Sequence, residues 1–153
     1  MKTLPFFNLF LRKKKRPLRA LQVEVTPECT RSCIICPRSG MDRYWRGGDL
    51  KNDIWKVIEP DLHLAEHVHL QGWGEPLLHP MLPIWVVKAR EKGCTIGITT
   101  NGDLLDVATD WLLEGNVDLI TVSAAGALKN HETVPQNLSK YYRGIFGICF
   151  LFQ

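Results

Sequence analysis

The chain has 153 residues, a length that suits one domain with a hydrophobic core of its own. Its hydrophobic fraction of 45% and charged fraction of 23% are typical of globular proteins, so the fold class has to come from sequence patterns. Six of the 19 basic residues lie within residues 12–19, and leaving them out changes the net charge from +3 to −3. Nothing in the rest of the chain therefore indicates a nucleic-acid partner.

Residues 1–20 are interpreted as an N-terminal extension and residues 21–153 as the folded core. The apolar stretch 4–11 is far shorter than the ~20 apolar residues that span a bilayer. It also precedes its basic residues, whereas a secretory signal follows them. We expect it to pack on the core, with the basic run in solvent; contact with a membrane surface is the less favoured alternative. The five cysteines, an odd number without a secretory signal, indicate the reducing cytoplasm.

Predicted strands and helices alternate along the core. Strands are predicted at residues 21–26, 66–71, 95–99 and 118–123, helices at 50–58, 82–92, 104–114 and 134–144, and the apolar run 145–152 begins a fifth strand. The helix at 82–92 is expected to end at Gly93. About four strand–helix units imply crossover connections and a parallel sheet, which is an α/β fold.

Apolar and polar residues alternate in all four of these strands. In the second strand, Val68 and Leu70 alternate with His67, His69 and Gln71. Helices have to cover the apolar face, which leaves a polar face on the other side of the sheet. The interior of an ordinary barrel is filled by branched aliphatic residues, and a doubly wound sheet is apolar on both faces. The pattern therefore indicates a curved sheet around a wet lumen that holds a ligand.

Three cysteines, Cys29, Cys33 and Cys36, follow the first strand with the spacing Cys-x3-Cys-x2-Cys. Thiolates this close together need a cation to neutralise them, and soft iron or zinc does so. A complete zinc site or an ordinary cubane takes four protein ligands, and the other two cysteines, Cys94 and Cys149, resemble core residues. Three ligands would leave one metal position open for a substrate. A zinc site completed by a distant His or Cys, and three unligated thiols, are the alternatives.

The cysteine spacing resembles that of the radical S-adenosylmethionine (SAM) superfamily, and three later segments are similar to further motifs of that family. Residues 72–78, Gly-Trp-Gly-Glu-Pro-Leu-Leu, are similar to its Gly-Gly-Glu-Pro segment. Residues 100–105 are similar to its Thr-Asn-Gly-x-Leu-Leu segment, and residues 122–126 to its Ser-x-x-Gly turn. The likeness implies a partial (β/α) barrel, with about four parallel strand–helix units of the family's half-open barrel.

The resemblance also implies the cofactors and the reaction. The three cysteines would hold a 4Fe–4S cluster whose open iron is chelated by the amine and carboxylate of SAM. An external donor of the flavodoxin or ferredoxin type would reduce the cluster. Cleavage of the sulfonium would then give a deoxyadenosyl radical that takes hydrogen from a peptide or a cofactor precursor. The SAM contacts implied by the motifs are Gly74, Glu75, Pro76, Asn101, Ser123 and Ile35.

The motifs suggest a role for each of these contacts. Glu75 would accept a hydrogen bond from the ammonium group, on a turn fixed by the neighbouring glycine and proline. Asn101 and Ser123 would reach the ribose hydroxyls, and Ile35 would pack on the adenine. Simpler structural roles are a helix cap for the glutamate, a turn residue for the asparagine and a strand-end hydroxyl for the serine. The roles of Trp73, His67 and His69 are left open, and no catalytic residue is assigned.

Length is the main departure from the family's pattern. A full eight-unit barrel takes ~250 residues, and the family's partial barrel has more units than the four and a fraction predicted here. An ending here would leave an open, apolar sheet edge, so we expect a truncated gene product or a fragment. The competing hypothesis is that a partner chain or a second copy covers this edge. The alternative function is a non-catalytic iron–sulfur or zinc-binding half-barrel that needs a partner chain.

Overall fold

Within the part of the chain that the structure describes, five strands lie side by side in one parallel sheet, in the same order as along the chain. The fold comes from a computed structural model, which describes residues 16–40, 47–112, 117–123 and 145–149. The strands are β1 (Leu18–Val23), β2 (Ala65–Leu70), β3 (Thr95–Thr100), β4 (Leu119–Ser123) and β5 (Ile145–Cys149). The predicted α/β class and the parallel sheet of a partial (β/α) barrel are confirmed, including the fifth strand.

Helical segments lie between β1 and β2, between β2 and β3, and between β3 and β4. The α-helices are α1 (Pro37–Gly40), α2 (Asn52–Ile58), α3 (Leu82–Glu91) and α4 (Leu105–Trp111), and two 3-10 helices span Glu59–Leu64 and Pro76–Leu78. Helix α3 ends as predicted, because Gly93 takes the left-handed conformation with φ of 75°. The helix predicted at residues 134–144 lies outside the described residues. No helix in the described ranges is long and apolar enough to cross a membrane.

The first strand ends earlier than the sequence pattern predicts. β1 pairs with β2 over Leu18–Val23, whereas the predicted strand covers residues 21–26. After the last pair the chain turns to other partners, and the carbonyl of Val25 accepts a 2.8 Å hydrogen bond from the N–H of Leu50. Val25 is nevertheless buried, so the alternation of buried and exposed residues continues beyond the strand pairing. The start of β1 at Leu18 also brings residues 18–20 of the predicted extension into the sheet.

The apolar face of the sheet is the core, as the alternation predicted. The buried strand residues on this face are Val23, Val68, Leu70, Ile96, Ile98, Ile120 and Val122. Trp55 of α2 stacks on Trp85 of α3 against them, with the ring centroids 4.9 Å apart. Cys94 is buried as well, and its thiol donates to the carbonyl of Leu62 at 3.1 Å, which confirms its predicted place in the core. The side chain of Cys149 lies outside the described residues.

The other face of the sheet carries polar side chains, which confirms the second half of that prediction. Gln71 donates a 3.1 Å hydrogen bond to Gln22 on the neighbouring strand. His69 lies 3.0 Å from the hydroxyl of Thr99, and a Cβ at Gly97 would come within 2.9 Å of the histidine ring. Burial lowers the pKa of His69. The polar face is therefore a hydrogen-bonded surface. The glycine at position 97 of β3 leaves room for the imidazole of His69.

Arg16 lies at the opposite end of the sheet from the cysteines. Its guanidinium donates to the carbonyl of Ala65 at 2.6 Å and to that of Lys92 at 3.1 Å, which ties the start of β2 to the turn after α3. This member of the basic run is therefore held by the fold and is not a solvated charge. The rest of the N-terminal prediction concerns residues 1–15, which lie outside the described ranges. The division at residue 20 and the association at a sheet edge stay predictions.

Candidate functional site

A cavity of about 380 Å³ lies at the carboxyl ends of the strands. Residues at this end of β1, β3 and β4 contribute to its lining, together with the cysteine loop and the loop after β2. Of the residues singled out from the sequence, the lining includes Cys29, Cys33, Cys36, Ile35, Trp73, Gly74, Glu75, Asn101 and Ser123. Pro76 does not line it; this residue is buried and begins the 3-10 helix Pro76–Leu78. The structure thus brings together segments that are far apart in the sequence.

The cysteine loop is organised by its own backbone and by one buried arginine. The N–H of Cys36 bonds to the carbonyl of Cys33 at 3.1 Å, and the hydroxyl of Ser39 bonds to the same carbonyl at 2.9 Å. Arg38 is buried beneath the loop and donates to the carbonyl of Arg31 at 2.8 Å. The three thiols are half-buried, so the loop presents them to the cavity without enclosing them.

The three thiols are a donor set that fits a 4Fe–4S cluster, in which each thiolate binds a different iron. The thiol of Cys29 also lies within reach of two donors, the N–H of Arg31 at 3.4 Å and the side-chain amide of Asn101 at 3.6 Å. Such donors stabilise a ligating thiolate.

Glu75 is buried at the edge of the cavity, with 1% of its surface exposed. Its Oε1 accepts from the hydroxyl of Thr100 at 2.7 Å and from the N–H of Leu77 at 3.2 Å, and its Oε2 accepts from the N–H of Asn101 at 2.6 Å. Burial raises the pKa of this carboxyl, and the three hydrogen bonds oppose the rise. The helix-capping role is present, since Leu77 lies in the 3-10 helix, but the same carboxylate also joins the loop to the end of β3.

Gly74 lies directly against the backbone of the cysteine loop. A Cβ at this position would come within 2.1 Å of the carbonyl oxygen of Thr26 and 2.5 Å of that of Glu28. The neighbouring N–H of Glu75 bonds to the same Glu28 carbonyl at 2.6 Å. The glycine is therefore required by a close approach between two loops, which positions the cysteines relative to the loop after β2.

Trp73 is held by its backbone while its side chain faces the cavity. Its N–H donates to the carboxylate of Glu24 at 2.6 Å, and that carboxylate also lies against Gly72, where a Cβ would be 2.2 Å from its Cγ. The indole lines the cavity and is 43% exposed. The sequence left the role of Trp73 open. Its exposure at the cavity favours an indole that flanks a ligand over one that packs under the loop.

The loop after β3 forms a compact hydrogen-bonded unit with the cysteine loop. Asn101 donates to the hydroxyl of Thr30 at 2.8 Å and accepts from the N–H of Asp103 at 2.9 Å. Asp103 in turn accepts from Thr30 at 2.7 Å and forms an ion pair with Arg31. Thr30, Arg31 and Asp103 are site residues that were not predicted from the sequence. A sequence signal for two of them existed. Arg31 and Asp103 carry opposite charges and lie in loops that follow strands of the same parallel sheet.

Ser123 and Ile35 complete the predicted set. Ser123 ends β4 and is half-buried at the cavity, and Ile35 is 42% exposed in the turn before the third cysteine. The remainder of the Ser-x-x-Gly segment, residues 124–126, lies outside the described residues.

Comparison with known proteins gives one family model, that of the Radical SAM superfamily, which matches residues 23–144. A probable GTP 3′,8-cyclase of Methanococcus vannielii is 28% identical over 141 residues, covering 89% of this chain and 47% of that protein. A tungsten-containing aldehyde ferredoxin oxidoreductase cofactor-modifying protein of Pyrococcus furiosus is 30% identical over 115 residues, covering 69% of this chain and 30% of that protein. The chain thus spans less than half of the length of these curated relatives.

A solved structure has a similar fold. The crystal structure of BtrN in complex with AdoMet and 2-DOIA superposes with a TM-score of 0.72 at 24% identity. The match covers 88% of this chain and 58% of BtrN. At this level of identity the likeness establishes the fold.

Proposed function

The chain belongs to the radical SAM superfamily, and from this premise we propose that it cleaves SAM reductively at a 4Fe–4S cluster and abstracts hydrogen from an unidentified substrate. Members of this superfamily use a 4Fe–4S cluster and SAM. One observation carries the proposal for this chain: the three cysteines and the motif residues Glu75 and Asn101 line the same cavity. The positions of these residues along the chain do not by themselves require that they line one cavity.

Cys29, Cys33 and Cys36 would hold the 4Fe–4S cluster. When bound, the cluster would supply the electron for cleavage of the sulfonium of SAM to methionine and a 5′-deoxyadenosyl radical, and that radical would take a hydrogen atom from the substrate. An external donor of the flavodoxin or ferredoxin type delivers the electron. The substrate is a peptide or a cofactor precursor, and the protein works in the reducing cytoplasm, where clustered thiols stay reduced.

Glu75 is suited to hold the ammonium group of SAM. A carboxylate offers about four lone-pair sites, and the protein fills two on Oε1 and one on Oε2. The remaining site on Oε2 is available for a donor in the cavity. Gly74 lines the cavity next to this carboxylate. Pro76 acts from beneath, as the rigid first residue of the 3-10 helix.

Asn101 and Ser123 are proposed to contact the ribose. The amide nitrogen of Asn101 already donates to Thr30 and to the thiol of Cys29, so its contact to a hydroxyl would use the second lone pair of Oδ1. Ser123 lies at the cavity end of β4 with a hydroxyl that both donates and accepts. Ile35 and Trp73 provide apolar surface around the cavity, which excludes water from the reacting groups.

Anaerobic purification and reconstitution with iron and sulfide test the proposal. We expect a brown protein that forms 5′-deoxyadenosine when it is treated with SAM and dithionite. The variant C33A should lose the cluster, whereas C94A, which removes a buried thiol away from the cavity, should keep it. Colourless protein with one bound zinc would contradict the cluster. A brown protein that leaves SAM intact would contradict the enzymatic reaction and favour the non-catalytic iron–sulfur half-barrel.

A further inference from the structure

Arg31 places a positive charge beside the cysteine thiols. It lies between Cys29 and Cys33 in the sequence, lines the cavity, and has a side chain that is only 16% exposed. The guanidinium thus belongs to a residue that lines the cavity together with the three cysteines.

Asp103 holds this guanidinium from the loop after β3. The Nε of Arg31 donates to the two carboxylate oxygens of Asp103 at 3.1 and 3.0 Å, and Nη2 forms an ion pair with the same group. Thr30 donates a further hydrogen bond of 2.7 Å to the carboxylate. Partial burial opposes the ionisation of Asp103, but Arg31 and Thr30 outweigh it and lower its pKa. The arginine therefore has a fixed position and an ionised partner.

One nitrogen of the guanidinium is left over. Nη1 of Arg31 is buried, and no acceptor among the described residues forms a hydrogen bond with it. A buried N–H group of a charged side chain is costly without an acceptor, so a negative charge close to the guanidinium would stabilise it. Thiolates and sulfides of a 4Fe–4S cluster would bring negative charge to this place.

We propose that Arg31, positioned by Asp103, is the electrostatic partner of the cluster and raises its reduction potential; this inference rests on the proposed function. Reduction adds one electron to the cluster, and a nearby positive charge stabilises the more negative state. Groups around the ligands tune a metal centre in this way without binding the metal. Arg31 is thus a positioning and tuning residue that need not touch the substrate.

The test compares three variants of the full chain, reconstituted anaerobically, by iron and sulfide content and by a redox titration followed by electron paramagnetic resonance. R31Q removes the charge, and R31K keeps the charge without the planar fork. R90Q is the matched control, because Arg90 forms an ion pair with Asp118, which precedes β4 at the end of the sheet away from the cavity.

We expect R31Q to hold the cluster at a more negative reduction potential or to contain less iron and sulfide. R31K should bring the changed quantity, the potential or the iron and sulfide content, back toward the parent value. R90Q should match the parent in both. An R31Q protein with full cluster at the parent potential would overturn the inference, as would R31K behaving like R31Q. Weaker SAM binding in R31Q at an unchanged potential would also overturn it, by assigning Arg31 to the carboxylate of SAM. If the parent and R90Q themselves hold no cluster, the proposed function fails and the inference with it.

Discussion

The carboxylate of Glu75 accepts a 2.6 Å hydrogen bond from the backbone N–H of Asn101, and this contact joins the loop after β2 to the end of β3. Thr100 and Leu77 donate to the same carboxylate. The residue that the motif marks as a cofactor contact is therefore also the residue that holds two cavity loops together. A substitution of Glu75 should therefore change both the stability of the chain and cofactor binding. A substitution of a residue with only one of these roles should change only one of them.

Glu75→Gln should lower the free energy of unfolding by about 1–3 kcal/mol, because a carboxamide nitrogen would face one of the buried donors and leave it without an acceptor. It should also weaken SAM binding, since Oε2 loses its charge. Urea unfolding of the metal-free chain and equilibrium binding of SAM to the reconstituted chain measure the two effects. Glu91→Gln, on the exposed surface of α3, is the control and should change neither. An unchanged unfolding curve for the Glu75 variant would contradict the bridging role.

Glu75 should make the free energy of unfolding depend on pH. Burial raises the pKa of this group above its ordinary value of 4.5, so the folded state binds the proton more tightly than the unfolded chain does. Its contribution to stability is full below 4.5 and is lost as the pH rises through the raised folded pKa. The free energy of unfolding of the parent minus that of Glu75→Gln should therefore fall as the pH rises. Urea unfolding over a pH series measures this difference, and a constant or rising difference would contradict it.

Gly74→Ala should destabilise the metal-free chain by about 1–3 kcal/mol, because the added methyl group has to displace backbone of the cysteine loop. The same displacement should reduce the iron and sulfide content after reconstitution. Gly48→Ala provides a matched control, since a Cβ at Gly48 has no neighbour within 4 Å. Equal unfolding free energies and equal iron contents for the two variants would show that the loops do not depend on this close approach.

Trp73→Ala should weaken SAM or substrate binding while it changes the free energy of unfolding by less than about 1 kcal/mol. The reason is that the fold holds this residue by its backbone N–H, which the substitution keeps, and that the indole is 43% exposed at the cavity. Binding to the reconstituted chain and urea unfolding of the metal-free chain are the measurements. A large loss of stability with unchanged binding would mean that the indole packs under the loop.

The alternation of apolar and polar residues along the strands predicted most of the fold. Alternation in residues such as Val68 and His69 predicted a buried face and a polar face, and both are present because side chains of a strand point to opposite sides. The end of β1 was misplaced for a related reason. Val25 is buried like a strand residue, yet its carbonyl bonds to Leu50 and not to β2, and burial alone does not reveal the hydrogen-bond partner.

The sequence by itself determined the cysteine loop and the polar face of the sheet, because local spacing and a period of two residues report directly on ligand type and strand faces. Only the tertiary structure showed that Glu75 binds Thr100 and Asn101, and that Arg31 is fixed by Asp103, 72 residues away. Such contacts depend on which strand ends lie side by side and on how closely two loops approach. No local pattern encodes a distance between loops, so these partners follow from the packed sheet.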